Sequence, residues 1–239
     1  MKYIYGPVKS RRLGLSLGVS LTPYKTCTFD CIYCQLGDTT HKTTERKEYI
    51  KIEEILNELK AWLGANNEIQ KTVNYITLSG SGEPTLNVNI GEFIFQIKRI
   101  VNIPVAVITN SSFLSQASVR SQLLGADLIV PSLDAVSVSI WQKIDRPELN
   151  LKLDGIIQGL VSLRKEFKGK IWLEVMLVSG INDDIRQIKK LKEAIDMINP
   201  DKIQLNSPVR VAAESGILAV DKKKLEKIQE ILGDKTEII

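Results

Sequence analysis

Ile171-Trp172-Leu173-Glu174-Val175-Met176-Leu177-Val178, read together with the residues that follow it, decides the fold. This run is apolar at nearly every position and rich in aliphatic side chains, which predicts a strand buried on both faces. Val178-Ser179-Gly180-Ile181-Asn182-Asp183 then turns the chain. Asp183 or Asp184 stands where a helix cap is needed, and Ile185, Ile188, Leu191, Ile195 and Ile198 recur at helical spacing. A buried strand joined by a short turn to a one-faced helix is a single β-then-α unit.

The unit repeats in both directions. Strands are predicted at residues 15–21, 73–79, 105–109 and 128–133 on the N-terminal side, and at 202–206 on the C-terminal side. Helices follow them near 52–63, 90–100, 116–124 and 151–167, and a last one starts at the cap Asp221 and ends near Leu232. Ile52, Ile55, Leu56, Leu59 and Leu63 share one face of the first helix. Gly125 suits the end of the third. Six units in this order predict the α/β class, with a parallel sheet covered by helices and right-handed crossovers that curl it one way. A partial (β/α)6 barrel and a doubly wound sheet both satisfy this pattern. A closed barrel typically needs about 250 residues and eight strands. Residues 1–14 read as an N-terminal arm and 15–239 as the six units of one domain, with no linker or low-complexity tract between them.

Composition narrows the setting. The chain has 239 residues, 44% hydrophobic and 25% charged, with a formal net charge of +4. No apolar stretch reaches the roughly 20 residues that span a bilayer. The first residues lack the apolar core and small-residue cleavage site of a secretory signal. A cytoplasmic protein with no membrane partner is the expectation. The mild positive charge is compatible with an anionic partner without demanding one. Lys222-Lys223-Lys224 is in keeping with a solvated helix start.

All three cysteines fall in Cys27-Thr28-Phe29-Asp30-Cys31-Ile32-Tyr33-Cys34. An odd count packed this closely is not a disulfide framework and points to metal. Three thiolates on a short loop can each hold one iron of a [4Fe–4S] cube. No fourth cysteine exists, so one iron would be left open to an outside ligand. The alternative is a zinc site made by Cys27, Cys31, Cys34 and His41, the only histidine. In parallel α/β folds, ligands bind at the carboxyl ends of the strands. That face gathers the cysteine loop with residues 79–83, 109–110, 132–134, 178–182 and 206–208.

The cysteine loop, with an aromatic residue at Tyr33 before the last cysteine, resembles the signature of the radical S-adenosylmethionine (SAM) superfamily. The resemblance covers nearly the whole chain and implies a partial (β/α)6 barrel. It implies one [4Fe–4S] cluster on Cys27, Cys31 and Cys34, with SAM on the open iron. It also implies reductive cleavage of SAM to a 5′-deoxyadenosyl radical that abstracts hydrogen from a substrate. Ser81-Gly82-Glu83-Pro84 resembles the motif that holds the SAM amino group through backbone carbonyls and the glutamate, with Ser81 in place of the usual glycine. By the same resemblance, Thr109, Asn110, Ser132 and Asp134 contact the ribose and carboxylate of SAM. Glu174 and Met176, two apart on one strand, share a face. That face is expected to point into the barrel, and Asn206 is expected to reach ribose or substrate. A reduced flavodoxin or ferredoxin is the implied electron donor.

Three further stretches resemble short iron–sulfur oxidoreductases related to the wyosine-synthesis enzymes of tRNA. They are Tyr5-Gly6-Pro7-Val8 with Ser10-Arg11-Arg12, Ser79 to Leu86, and Gln204 to Arg210. Those enzymes add a second cluster, for which this chain has no cysteines. The substrate is therefore left open between a nucleic-acid base, a related metabolite and a partner enzyme activated as a glycyl radical. Arg11 and Arg12 suit phosphate or carboxylate, and Asp145-Arg146-Pro147 is a second polar loop of unassigned role.

Overall fold

The computed structural model describes all 239 residues. Six strands fall at or within a residue or two of the predicted runs: β2 (Gly14–Val19), β5 (Tyr75–Leu78), β6 (Val105–Thr109), β7 (Leu128–Pro131), β8 (Lys170–Met176) and β9 (Lys202–Asn206). They pair in parallel, in chain order. Each is followed by its covering helix: α1 (Ile52–Ala65), α3 (Ile90–Ile100), α4 (Ala117–Leu123), α6 (Leu153–Glu166), α7 (Ile185–Ile198) and α8 (Lys222–Leu232). Asp184, not Asp183, caps α7 by accepting from the Arg186 N–H, and Asp221 caps α8 through the Lys224 N–H. This is the partial barrel of parallel strands.

Five parts depart from expectation. Residues 1–14 are not a free arm, because β1 (Ile4–Ser10) forms an antiparallel hairpin with β2. A short β10 (Thr236–Ile238) adds a further parallel strand beyond β9. The stretch after β7 contains a two-turn helix, α5 (Val138–Ile144), and α1 is followed by a single turn, α2 (Asn67–Gln70). Finally, β3 (Thr26–Cys27) and β4 (His41–Lys42) form a separate two-stranded ladder beside the cysteines.

Alternation along the strands sorts the molecule into an outer and an inner layer. Leu17, Ile76, Val107, Ile129, Leu173 and Leu205 point outward and join the helix faces in one continuous core of 50 buried residues. The inner face is smaller and more polar: Ser16, Gly18, Thr77, Ala106, Glu174, Gln204 and Asn206 alternate with those residues. Leu13, Ala106, Leu128 and Val130 form an apolar floor inside the barrel. Above that floor the interior is open, and this is where polar side chains collect. Gln204 is fully buried there, with neither amide atom bonded.

Candidate cluster and cofactor site

The cysteine loop is clamped from both sides. Backbone N–H groups of Asp30 and Ile32 donate to the carbonyls of Asp145 and Ile144, at the C-terminal end of α5. Phe29 packs edge-on against Trp141, with ring centroids 5.9 Å apart. On the other side, Thr26 bridges to Gly82, whose N–H-bearing turn lies so close that an added Cβ would stand 1.8 Å from the Thr26 carbonyl oxygen. Glycine is required at position 82 for this approach of two backbones. The Ser81 carbonyl accepts from the Lys25 N–H at 2.6 Å. The predicted cofactor turn thus also fixes the cysteine loop.

All three cysteines are unbridged and half-buried by residue exposure. Burial, with the Glu83 carboxylate nearby, pushes the Cys27 thiol up to about 12. Burial, followed by Asp145, pushes Cys31 well above the ordinary thiol value. Asn110 Nδ2 donates to Cys27 Sγ at 3.5 Å and to Thr28 Oγ1 at 2.7 Å. Cys31 Sγ lies 3.5 Å from Asp145 Oδ1.

The residues fit an iron–sulfur cluster on two grounds. No three His, Cys, Asp or Glu side chains converge closely enough to chelate one ion. A single zinc demands such convergence, whereas a cube places each thiolate on a different iron. His41 is exposed and packs edge-on to Tyr49, 6.4 Å between centroids. The second ground is Lys25, which sequence reading missed. It is 3% exposed, and the one partner of its ammonium is Cys34 Sγ at 3.2 Å. A buried ammonium needs compensating charge. Three thiolates on a cluster supply it and neutral thiols do not. The only signal in the sequence was a lysine two residues before the first cysteine.

Glu83 is 2% exposed and held by four donors. Its Oε1 accepts from Thr85 N, Thr85 Oγ1 and Thr109 Oγ1, and its Oε2 from Asn110 N at 2.7 Å. Burial nonetheless raises its pKa above the usual carboxylate value. Asp134 accepts from the Tyr33 hydroxyl and from Met176 N at 2.8 Å, and Asp145 accepts from the same hydroxyl at 3.3 Å. Burial lifts Asp134 to about 7 and, with Asp134 beside it, lifts Asp145 well above the aspartate range. Burial likewise pushes Tyr33 far up.

A cavity of about 540 Å³ opens inside the barrel. Cys27, Cys31, Gly82, Glu83, Asn110 and Ser132 line it together, although they come from four separate parts of the chain. A narrow adjoining cleft lies between Tyr33, Ser132, Asp134 and Trp141. Three expected residues are placed differently. Met176 does not line the cavity, but packs with Ile32, Ile144 and Val178 beneath the cysteine loop. Glu174 is ion-paired to Arg12 and accepts from Asn206 Nδ2 at 3.0 Å. Asn206 Oδ1 in turn accepts from Arg11 at 3.2 Å. The two arginines of the β1–β2 turn therefore already hold the two strand-end residues expected to meet cofactor or substrate.

Comparison with known proteins bears on this arrangement. The family model of the Radical SAM superfamily matches residues 21–192. The chain is 42% identical over 226 residues to a GTPase Obg of Brachyspira hyodysenteriae, covering 95% of this chain and 33% of that protein. It is 39% identical over 240 residues to a UPF0026 protein of Methanocaldococcus jannaschii, covering all of this chain and 73% of the relative. It thus spans a third of the first relative and about three quarters of the second. Among solved structures, a radical SAM methyltransferase from Sphaerobacter thermophilus superposes with a TM-score of 0.71 at 16% identity, over 94% of this chain and 65% of that one. At that identity the likeness concerns the fold.

Proposed function

Because the chain belongs to the radical SAM superfamily and to the UPF0026 proteins, we propose that Cys27, Cys31 and Cys34 hold one [4Fe–4S] cluster and that the cavity beside them receives SAM. The chemistry such a pair supplies when bound is one-electron reductive cleavage of SAM, giving a 5′-deoxyadenosyl radical that takes hydrogen from a substrate. One observation carries the reading: two of the cysteines open on the same volume as Gly82, Glu83, Asn110 and Ser132.

The roles of the chain's own residues follow from their bonding. The three thiols provide ligands for three irons and leave the fourth without a protein ligand. Lys25 offsets the negative charge of the ligated sulfurs from the Cys34 side. Glu83, immobilised by its four donors, presents a carboxylate of fixed orientation, suited to the SAM ammonium. A cation arriving beside it favours the ionised form that burial alone disfavours. Asn110 ties the Glu83 turn to the cysteine loop through Thr28 and Cys27. Phe29 and Trp141 pack edge-on and brace the cysteine loop against α5. A reduced flavodoxin or ferredoxin is the proposed electron source, and the hydrogen donor is a molecule admitted to the same cavity.

Anaerobic reconstitution with iron and sulfide, followed by reduction in the presence of SAM, tests this. The expected product is 5′-deoxyadenosine, and Cys31→Ala is expected to lose iron content and product together. A fully reconstituted protein that makes no 5′-deoxyadenosine, or a Cys31→Ala variant that keeps both cluster and product, would overturn the assignment.

A further inference from the structure

The cavity that takes the cofactor is lined by four cations: Lys9, Arg11, Arg12 and Arg210. Its one lining carboxylate, Glu83, is occupied by Thr85, Thr109 and Asn110. Arg12 is neutralised by Glu174. Lys9 and Arg210 have no carboxylate partner. Arg11 donates to an oxygen of the last residue, Ile239, at 3.0 Å and to Asn206 Oδ1 at 3.2 Å. Arg210 donates to the Gln35 carboxamide at 3.0 Å. Lys9 is exposed and makes no side-chain bond. Some basic side chains elsewhere pair with acids, as Lys98 does with Asp127 and Arg120 with Glu166.

Lys9 and Arg11, from β1 and the turn after it, and Arg210, from beyond β9, line one concavity and concentrate positive potential there. The cofactor does not account for them. SAM has a single carboxylate against an ammonium and a sulfonium, so a cationic wall repels more of it than it attracts. The ligated cysteines already have Lys25. A carboxylate or an internal phosphodiester brings one negative charge. A phosphate monoester brings about 1.5 to 2 at neutral pH, spread over three acceptor oxygens. Arginine forks and an ammonium match those oxygens.

We propose that Lys9, Arg11 and Arg210 form a binding site for a phosphate monoester, and that the hydrogen donor of this enzyme is a phosphorylated small molecule. The substrate class rests on the radical SAM reading of the cavity. The site itself does not, because phosphate binding is read without turnover. The reconstituted protein with SAM present is titrated with inorganic phosphate, followed by calorimetry, in parallel with methyl sulfate as a singly charged control. Saturable phosphate binding is expected, with methyl sulfate and each of Lys9→Gln and Arg210→Gln weaker by about tenfold or more, as for loss of a hydrogen bond to a charged group. Circular dichroism and iron content of the variants establish that they are folded and loaded. Absence of saturable binding, equal binding of methyl sulfate, or phosphate affinity unchanged in both variants overturns the site. Intact phosphate binding without 5′-deoxyadenosine formation removes the reaction and leaves the site standing. Bulk tRNA displacing phosphate where adenosine 5′-monophosphate does not would overturn the small-molecule assignment.

Discussion

At the scale of single residues, Lys25 joins backbone, packing and redox chemistry. Its backbone is in the left-handed region, φ 57°, which a non-glycine residue adopts at a cost. That conformation is held by the Lys25 N–H to Ser81 and by the His41 N–H to the Lys25 carbonyl. It brings the ammonium to Cys34 Sγ inside the loop. A hydrogen bond and a positive charge at a cluster ligand stabilise the more negative, reduced state, which raises the reduction potential. Lys25→Met is therefore expected to lower the midpoint potential by on the order of 60 mV, the one-electron equivalent of a charge-assisted hydrogen bond of about 1.5 kcal/mol. Lys25→Arg is expected to recover most of it. Redox titration followed by electron paramagnetic resonance reads both, and an unchanged potential in Lys25→Met would remove the proposed role.

At the scale of elements, β7, α5 and β8 meet around two buried carboxylates. An unfolded aspartate gives up its proton near 3.8, whereas Asp134 in the fold keeps it to about 7 and Asp145 lies well above the ordinary range. The folded chain thus binds more protons than the unfolded one between about pH 4 and 7. Stability from this pair is fully present below that window and is lost as pH rises through it. Metal-free protein should accordingly gain on the order of 2 kcal/mol on going from pH 7 to pH 5. Asp145→Asn should flatten the dependence. Urea unfolding at the two pH values checks this, and a wild type less stable at pH 5 counts against it. Gln204 on β9 gives a second case. Its buried, unbonded amide costs free energy that an aliphatic side chain of similar size does not, so Gln204→Leu should stabilise by about 1 kcal/mol in the same assay; a loss of stability would mean that the amide is partnered. The six strands were legible as short, nearly continuous apolar runs, and their helices as apolar faces at helical spacing. β1 was not, because Tyr5-Gly6-Pro7 interrupts its pattern. α5 was not, because seven residues with Val138 exposed carry little periodicity. The cysteine loop and the Ser81–Glu83 turn were readable as local motifs. The packing of Met176 against the cysteine loop was not legible, because strand alternation gives a face but not which part of that face a neighbouring loop covers.

At the scale of the whole molecule, the hairpin decides how the open barrel is finished. β1 and β10 are the two edges of the sheet and do not pair. Strand tilt brings the start of β2 across from the ends of β8 and β9. There, Arg11 reaches Asn206 and the last residue, Ile239, while Arg12 reaches Glu174, 162 positions away in the chain. No local pattern could announce that contact, although a glutamate within an apolar strand did announce the need for some partner. Side chains thus close what backbone pairing leaves open, and they do so with a charge pair whose acid is only 7% exposed. Removing one member of a buried pair leaves the other uncompensated, at a cost of about 3 kcal/mol or more. Arg12→Ala is therefore expected to destabilise by roughly that amount, and Glu174→Gln added to it should recover a large part, since the stranded charge is then gone. Urea denaturation of the two single variants and the double variant measures the coupling. Additive losses, with no recovery in the double variant, would mean that the hairpin is held by its β2 ladder alone and that the arginine bridge does not close the barrel.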